Sequence, residues 1–559
     1  MRSRTRNAAL LGATAVLTAL ALTACSASAS PNTGASTGTE SSATPVSGGT
    51  LRYLANTEPP TWDGQRVPSL NLNSINSSIF DTVTVQAEDG TYKPGLATKW
   101  EVSEDGLTYT FTLRTDVKFQ DGSPFNATVL KQNFDRPLNE TGLATASSGI
   151  VENTVVDDST LKVTLSRPNA SFIHALSTPH WPIYSGKVLT EHTPAELSAN
   201  PKLSVGSGPF KVKDYVKGSK IVLEKNPDYN WAPSTWGHTG PAYLDEVTIQ
   251  FVPEPQARIG ALGSKQADAI DQVPPLNIPE VKAAGGKILE KDNTGTPYYL
   301  ALNPNIAPFD DKNVRIAFRD AIDVDGLLKS VYAGEYKKAW TTTLPDTPPL
   351  GSYDKSLEKS WSFDPKASAK LLDEAGYTET DKDGYRTKDG KRLTINWAVD
   401  SLYVQTDQRQ QLGEAIASSL KKAGFEVIRT PYDTAAFSAQ LAKNEHNLAD
   451  SSRGYADVGT TIQPYQTNAI PKDGGGSGIN YGLLSDPQID ESGKIVSANS
   501  DPKVRIAEAQ KVQKRILDEG FAIPLYVPKK IVGTNANVHG WKFDAVGYTD
   551  AFYDVWLGK

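Results

Sequence analysis

The sequence is poor in the residues that most often carry chemistry: its 559 residues include one cysteine, Cys25, one methionine and six histidines. A single thiol has no intrachain disulfide partner, so an exported chain of this length depends on size and packing for its stability. The histidines, His174, His180, His192, His238, His446 and His539, never fall at the i, i+4 spacing that sets two imidazoles on one helical face, which argues against a zincin-type metal site. No Gly-Lys pair is followed by Ser or Thr, so there is no P-loop to cradle a phosphate. Ser36 has glycine two residues before and two after, but "GASTG" has no strand or helix beside it to form a nucleophile elbow. Beyond the N-terminal region no segment has eighteen consecutive apolar residues, so nothing further spans a membrane. A basic excess is missing too. With 57 Lys+Arg against 64 Asp+Glu the formal charge is −7, the wrong sign for a nucleic-acid-binding face. Paired carboxylates cannot be placed across a sugar from sequence, which leaves an exported hydrolase as a rival class and a structural surface protein as another.

What is present begins at the N-terminus. Arg2, Arg4 and Arg6 precede an uncharged run from Ala8 to Thr23, which closes on the small residues Thr23 and Ala24: a secretory signal over residues 1–24. The following "LTAC" resembles the bacterial lipobox. That resemblance implies that Cys25 carries lipid and becomes the new N-terminus, holding the protein on the outer face of the cell membrane. Ser26 to Pro45 are Ser, Ala, Thr, Gly and Pro apart from Asn32 and Glu40, which predicts a disordered tether over 25–47. Its reach is roughly 25 Å, at about 5–6 Å times the square root of length. Loss of the signal takes three positive charges, so the mature chain of 535 residues carries a net charge of about −10, and its length allows two or more cores.

The first half of the body reads as strand-rich. Tyr109, Phe111 and Leu113 alternate with Thr108, Thr110, Thr112 and Arg114, and Leu161, Val163 and Leu165 repeat the pattern, as do Ile221 with Leu223, and Val247, Ile249 and Phe251. The second half changes period. In "FDPKASAKLLDEAGY" Asp364 is the N-cap, Pro365 the first helical residue and Gly376 the stop. Leu412, Ile416, Leu420 and Ala423 share one helical face that ends at Gly424, and Phe425, Val427 and Ile428 begin a strand. A last amphipathic helix through Ile506, Ala509, Val512, Ile516 and Leu517 stops at Gly520 before the strand "AIPLYV". Helix followed at once by strand is the α/β unit. "ETDKDGYRTKDG" has Glu379 and Gly390 where a calcium loop needs its first and twelfth ligands, so Asp383-Gly384 and Asp389-Gly390 read as turns.

"GTYKPGLATKWEVSEDGLTYTFTLRTDVKFQDGSPFNA" resembles the hallmark of the family 5 extracellular solute-binding proteins, which serve ABC importers of oligopeptides, dipeptides and nickel. Residues 206–229, 298–323 and 363–377 are similar to further family segments, so the resemblance runs from about Gly48 to the C-terminus. It implies an α/β, two-lobed periplasmic-binding-protein type II fold: lobe I over 48–295 with an inserted β-rich subdomain at about 86–190, lobe II over 296–520, and a return to lobe I over 521–559. It also implies no catalytic group and no cofactor. The partners are then a peptide or other small solute, the ABC permease subunits and, through the lipid, the membrane, with no nucleic acid. Peptide binders of the family hold the ligand's ammonium on an aspartate in an Ala-Asp-Tyr-like stretch. Here "SRGYADVGTTIQPY" supplies Tyr455, Ala456 and Asp457, and an ammonium taken from water needs such an ionised partner. Val458 to Thr461 depart from the family's Tyr-Pro-Asp-Pro, and "PKDGGGSG" adds a loop at 471–478. Trp62, Tyr455 and Trp397 are aromatic candidates for stacking on a ligand, and Arg453 is a candidate for a ligand carboxylate. The non-peptide alternatives are an oligosaccharide, an opine-like compound or a metal chelate.

Overall fold

The strand Thr50–Ala55 is buried for the last three of its six residues and pairs in parallel with Glu246–Phe251 on one side and Ala269–Ile270 on the other. Such a strand is inside a sheet, and its apolar side chains Leu51, Tyr53 and Leu54 are at most 3% exposed. In this computed structural model the described residues are 44–558 without 67–69, 141, 142, 144, 146, 147, 402–407, 473–477 and 546–549. Cys25, the signal, nearly all of the tether and most of the 471–478 loop lie outside them.

Three sheets organise the body. The first has seven strands in the order Lys287–Asp292, Lys529–Thr534, Ala269–Ile270, Thr50–Ala55, Glu246–Phe251, Lys220–Lys225, Phe210–Val216. The second has five: Glu426–Tyr432, Thr394–Asp400, Leu448–Ser451, Tyr298–Leu302, Ala522–Tyr526. In it Thr394–Asp400 runs parallel to both of its neighbours, while Tyr298–Leu302 is antiparallel to both of its own. The third is antiparallel, four-stranded and drawn from one stretch: Ala97–Val102, Thr108–Leu113, Thr160–Leu165, Ile150–Asp157.

The alternation read along the chain is the burial seen in this third sheet. Tyr109 and Phe111 face Val163 and Leu161 across the ladder, with all four at most 3% exposed. The helix Ala127–Asn139 closes that side, its first turn held by the Asn126 side chain accepting the Val129 N–H at 3.0 Å, with Leu130 and Phe134 buried. In the second layer the helix Arg409–Lys422 packs Leu412, Ile416 and Leu420 inward before the strand Glu426–Tyr432. The helix Pro365–Glu374 starts on Asp364, whose side chain accepts from the Lys366 and Ala367 N–H groups. The last long helix, Pro502–Glu519, ends on Gly520 at φ 67, a conformation that glycine adopts without a Cβ penalty.

The chain passes from the seven-stranded to the five-stranded sheet through residues 293–297 and back through 527–528. The two passages touch: the Asn293 N–H donates to the Pro528 carbonyl at 2.9 Å. The strand Ala522–Tyr526 pairs with Tyr298–Leu302, so the return to the first sheet begins after Tyr526 and not at 521. The hydrophobic run "AIPLYV" continues across that boundary, which is why the sequence alone places it early.

Candidate functional site

The strand Leu448–Ser451 is the middle strand of the five-stranded sheet, and its carboxyl end lies beside the passage between the sheets. In open α/β sheets ligands lie outside the carboxyl ends of the strands. The residues that leave this end are Ser452, Arg453, Gly454, Tyr455, Ala456 and Asp457.

The passage clamps this stretch. Thr296 N–H donates to the Arg453 carbonyl at 2.9 Å and Arg453 N–H donates to Thr296 Oγ1 at 2.8 Å, while Gly295 and Gly454 form an antiparallel bridge. A Cβ on Gly295 would stand 2.4 Å from both the Arg453 oxygen and the Tyr455 nitrogen, and its φ is +100. No other residue permits so close an approach in that conformation.

Arg453 is partly buried. Its Nη2 donates to the Tyr481 hydroxyl at 3.0 Å with the guanidinium 5.5 Å from that ring's centroid, its side chain also hydrogen-bonds Tyr455, and its buried Nε has no acceptor among the described residues. Among the described residues no carboxylate reaches it. Tyr455, also partly buried, donates its N–H to the Thr294 carbonyl at 3.4 Å. Nearby, Arg409 donates to Ser452 Oγ at 2.6 Å and lies over the Tyr298 ring.

Asp457 has a different environment. It is 2% exposed, and Arg505 grips it with Nη1 to Oδ2 at 2.9 Å and Nη2 to Oδ1 at 2.8 Å. Oδ1 also accepts from the Ser171 hydroxyl and from the Gly459 N–H at 2.8 Å, capping the helix Val458–Ile462. Burial alone would raise the carboxyl's pKa, but the Arg505 charge and hydrogen bonds, helped by His174 and Ser171, hold it below the usual carboxylate range. Both oxygens are occupied, so the expected ammonium anchor is the centre of a closed ion pair.

The tryptophans belong to the core. Trp397 is 1% exposed, donates from Nε1 to Asp450 Oδ1 at 2.8 Å and carries the Arg429 guanidinium 4.8 Å above its ring. Asp450 Oδ2 accepts from the Tyr298 hydroxyl at 2.8 Å. Trp62 is 3% exposed and packs edge-on against Tyr215 with centroids 5.1 Å apart. The structure therefore brings Arg453, Tyr455 and Asp457 together on one connection, buries Trp397 against Asp450 of the strand that leads into it, and packs Trp62 against Tyr215 of the seven-stranded sheet. Sequence reasoning missed Arg505, Tyr481, Gly295 and Ser171. Only the Gly-Thr of "DNTGTP" could have signalled a close backbone approach.

Segments of the β-rich region reach the same stretch. Gln86 Nε2 donates to the Ala456 carbonyl at 2.7 Å, and outside that stretch the Ala170 N–H donates to the Ser497 carbonyl in the helix Pro487–Ala498 at 2.8 Å. Among the described residues no three His, Cys, Asp or Glu side chains gather as a metal ion would require.

The family described as bacterial extracellular solute-binding proteins, family 5, middle, matches residues 91–473. The chain is similar to the glutathione-binding protein GsiB of Salmonella typhimurium, 28% identical over 492 residues that cover 85% of this chain and 88% of the relative. It is similar as well to the oligopeptide-binding protein AppA of Bacillus subtilis, 25% identical over 576 residues with both chains covered in full. Among solved structures, NikA from Brucella suis in complex with Fe(III)-EDTA superposes with a TM-score of 0.78 at 23% identity, covering 91% of this chain and all of that one. That likeness is one of fold.

Proposed function

The chain belongs to the family 5 bacterial extracellular solute-binding proteins, with their two-lobed α/β fold, and from that premise we propose that it is a lipid-anchored receptor delivering a peptide-like solute to a permease. As a solute-binding receptor of an ABC importer it takes peptides or related ligands. The lobes are residues 48–292 with 529–545, and residues 298–526. They close by a hinge at the paired passages 293–297 and 527–528, with Cys25 as the lipid-bearing residue and the strand end at Arg453 and Tyr455 as the floor of the site.

One observation carries this reading: the two passages are hydrogen-bonded to each other, and the first is bridged directly to the site stretch through Gly295 and Gly454. A rotation about that pair of segments changes the cleft and leaves both sheets intact, which is what hinge closure requires. The relatives named for glutathione and for oligopeptides support a peptide-like ligand.

Thermal-shift screening of the purified protein against peptides, sugars and metal chelates, followed by small-angle scattering on any hit, tests it. A ligand at 100 times its dissociation constant adds about 2.7 kcal/mol, and closure reduces the radius of gyration. Binding without compaction removes the hinge, and release of a chemically altered product removes the receptor. Cys25→Ala is expected to release the protein from the cell surface.

A further inference from the structure

The β-rich region of the first lobe reaches across to the second and grips the stretch that leads out of the site strand. Gln86 donates to the Ala456 carbonyl at 2.7 Å and the Ser171 hydroxyl donates to Asp457, while the Ala170 N–H donates to the Ser497 carbonyl at 2.8 Å. Between the strands Thr84–Gln86 and Tyr92–Pro94, Gly90 lies so near the second lobe that a Cβ on it would stand 2.6 Å from Pro348 Cβ. The Pro348 carbonyl in turn accepts the Val458 N–H at 2.8 Å.

His174 lies in the same segment as Ser171, in the short helix Phe172–Ala175. It is 3% exposed, and its Nδ1 is out of water with no partner among the described residues. The charges that act on it are Asp457 and Arg505, both of the second lobe, and its own segment brings His180. Tyr92 and Tyr109, which act on Arg505 from the hairpin and the four-stranded sheet, carry no charge near neutral pH. Asp457 is already neutralised by Arg505, so a proton on His174 meets a second cation, no free counter-charge and no water. Burial lowers the pKa of His174 more than Asp457 raises it, and Arg505 lowers it further. His180 is pushed down to about 4, first by burial and then by His174, so it is largely uncharged at pH 5.

We propose that the β-rich region is an acid-released latch: it holds the lobes together through Gln86, Ala170 and Ser171 while His174 is uncharged, and a proton on His174 opens it. The inference rests on the reading that the two lobes close by a hinge. Opening carries Asp457 and Arg505 away and lets water reach the imidazole, so the open form takes the proton more readily than the closed one. By linkage the closed form is favoured above the ordinary histidine range and loses ground as pH falls through it. Asp81 also titrates in this interval, but its protonation stabilises the fold, and its donors Ser207, Tyr229 and Trp231 all belong to the first lobe.

Amide hydrogen exchange on the purified protein tests this, with the Ala170 N–H as reporter, because its acceptor is a carbonyl of the other lobe. Between pH 7.5 and pH 5.0, after correction for the intrinsic exchange rate, wild-type protection of Ala170 is expected to fall about 10- to 30-fold, the most that one histidine with an open-form value near 6.5 gives. In His174→Gln the fall disappears, whereas His180→Gln keeps it. Wild-type protection that does not change with pH overturns the proposal whatever the variants do, as does an equal fall in His174→Gln. Small-angle scattering on the same samples reads the hinge apart from the latch, and the wild-type radius of gyration is expected to rise in acid as protection is lost. If trialanine or glutathione compacts the protein at pH 7.5 while acid leaves Ala170 protected, the hinge stands and the latch falls. Loss of protection at an unchanged radius shows a bond that frays locally, and it overturns the latch too.

Discussion

Arg453 and Asp457 lie four residues apart on one connection, yet they represent two ways of placing a charge in a protein. Asp457 is paired, capped and bonded on every side, and its charge is spent holding the fold. Arg453 is positioned by Thr296 and Tyr481, and among the described residues it meets no carboxylate. A pair closed within the fold cannot also grip a ligand, whereas an open charge costs stability that a ligand restores. The family resemblance implied the aspartate as the ligand anchor, and what separates the two residues is mainly partners remote in sequence, Arg505 and Ser171 for one and Thr296 and Tyr481 for the other.

The sharpest way to break this comparison is Asp457→Ala. It takes the paired carboxylate from buried Arg505, which keeps only the Ser171 hydroxyl as a partner among the described residues, and removes a helix cap, so unfolding free energy should fall by about 3–5 kcal/mol in urea denaturation. A stable variant that has lost affinity for free-amine peptides would return the ligand role to Asp457.

Asp81 supplies the control, a buried carboxylate served by neutral donors alone. Ser207, Tyr229 and Trp231 donate to it at 2.8, 2.9 and 2.8 Å, and burial outweighs them to push its pKa up to about 6. A carboxyl whose folded pKa exceeds its unfolded value destabilises the fold where it is ionised. Stability from this group is therefore gained as pH falls through about 6 toward the unfolded value near 3.8. Asp457 works in the opposite direction: its lowered pKa gives stability above the unfolded value, lost as pH falls through the folded one. Asp81→Asn should flatten the dependence between pH 4 and pH 7, raising stability at neutral pH by up to about 3 kcal/mol, less the cost of an imperfect amide fit. A variant less stable than wild type at pH 7 would mean that the ionised form is the one the pocket prefers.

Gly295→Ala probes the clamp common to both residues. The added methyl group meets backbone at 2.4 Å in a left-handed conformation, so a loss of about 1–3 kcal/mol is expected, with weaker ligand binding because Arg453 and Tyr455 move together. Full stability with intact binding would show the passage to be looser than its hydrogen bonds imply.

How far the sequence revealed this arrangement depends on distance along the chain. The strands through Tyr109 and Leu161, the cap at Asp364 and the stop at Gly520 are local events, written in period and capping chemistry and legible as such. The site is not local. Arg505 sits in a helix whose apolar residues announce its buried face, but that face also buries Arg505 and Glu508, which periodicity assigns to solvent. Trp62 and Trp397 illustrate the converse: an aromatic side chain that could stack on a ligand is equally able to fill a core, and only neighbours such as Tyr215 and Arg429 decide which.

The smallest expected effect separates a static contact from a moving one. Ser171 belongs to the segment that follows the four-stranded sheet; its hydroxyl donates to Asp457 and accepts from Arg505 Nη2 at 3.1 Å. Asp457 and Arg505 stay paired whether or not Ser171 is present, so Ser171→Ala removes only the hydroxyl's bonding to that pair, one of the links that cross between the layers beside the bond from Gln86 to the Ala456 carbonyl. If closure forms that bond, its loss of about 1 kcal/mol falls on the closed state alone. Apparent ligand affinity then drops about fivefold while urea unfolding of the ligand-free protein hardly changes. If instead the bond is present in every state, the same energy appears in ligand-free stability and affinity is untouched. Measuring both quantities on one variant therefore decides whether the hydroxyl is part of the lobe or part of the latch.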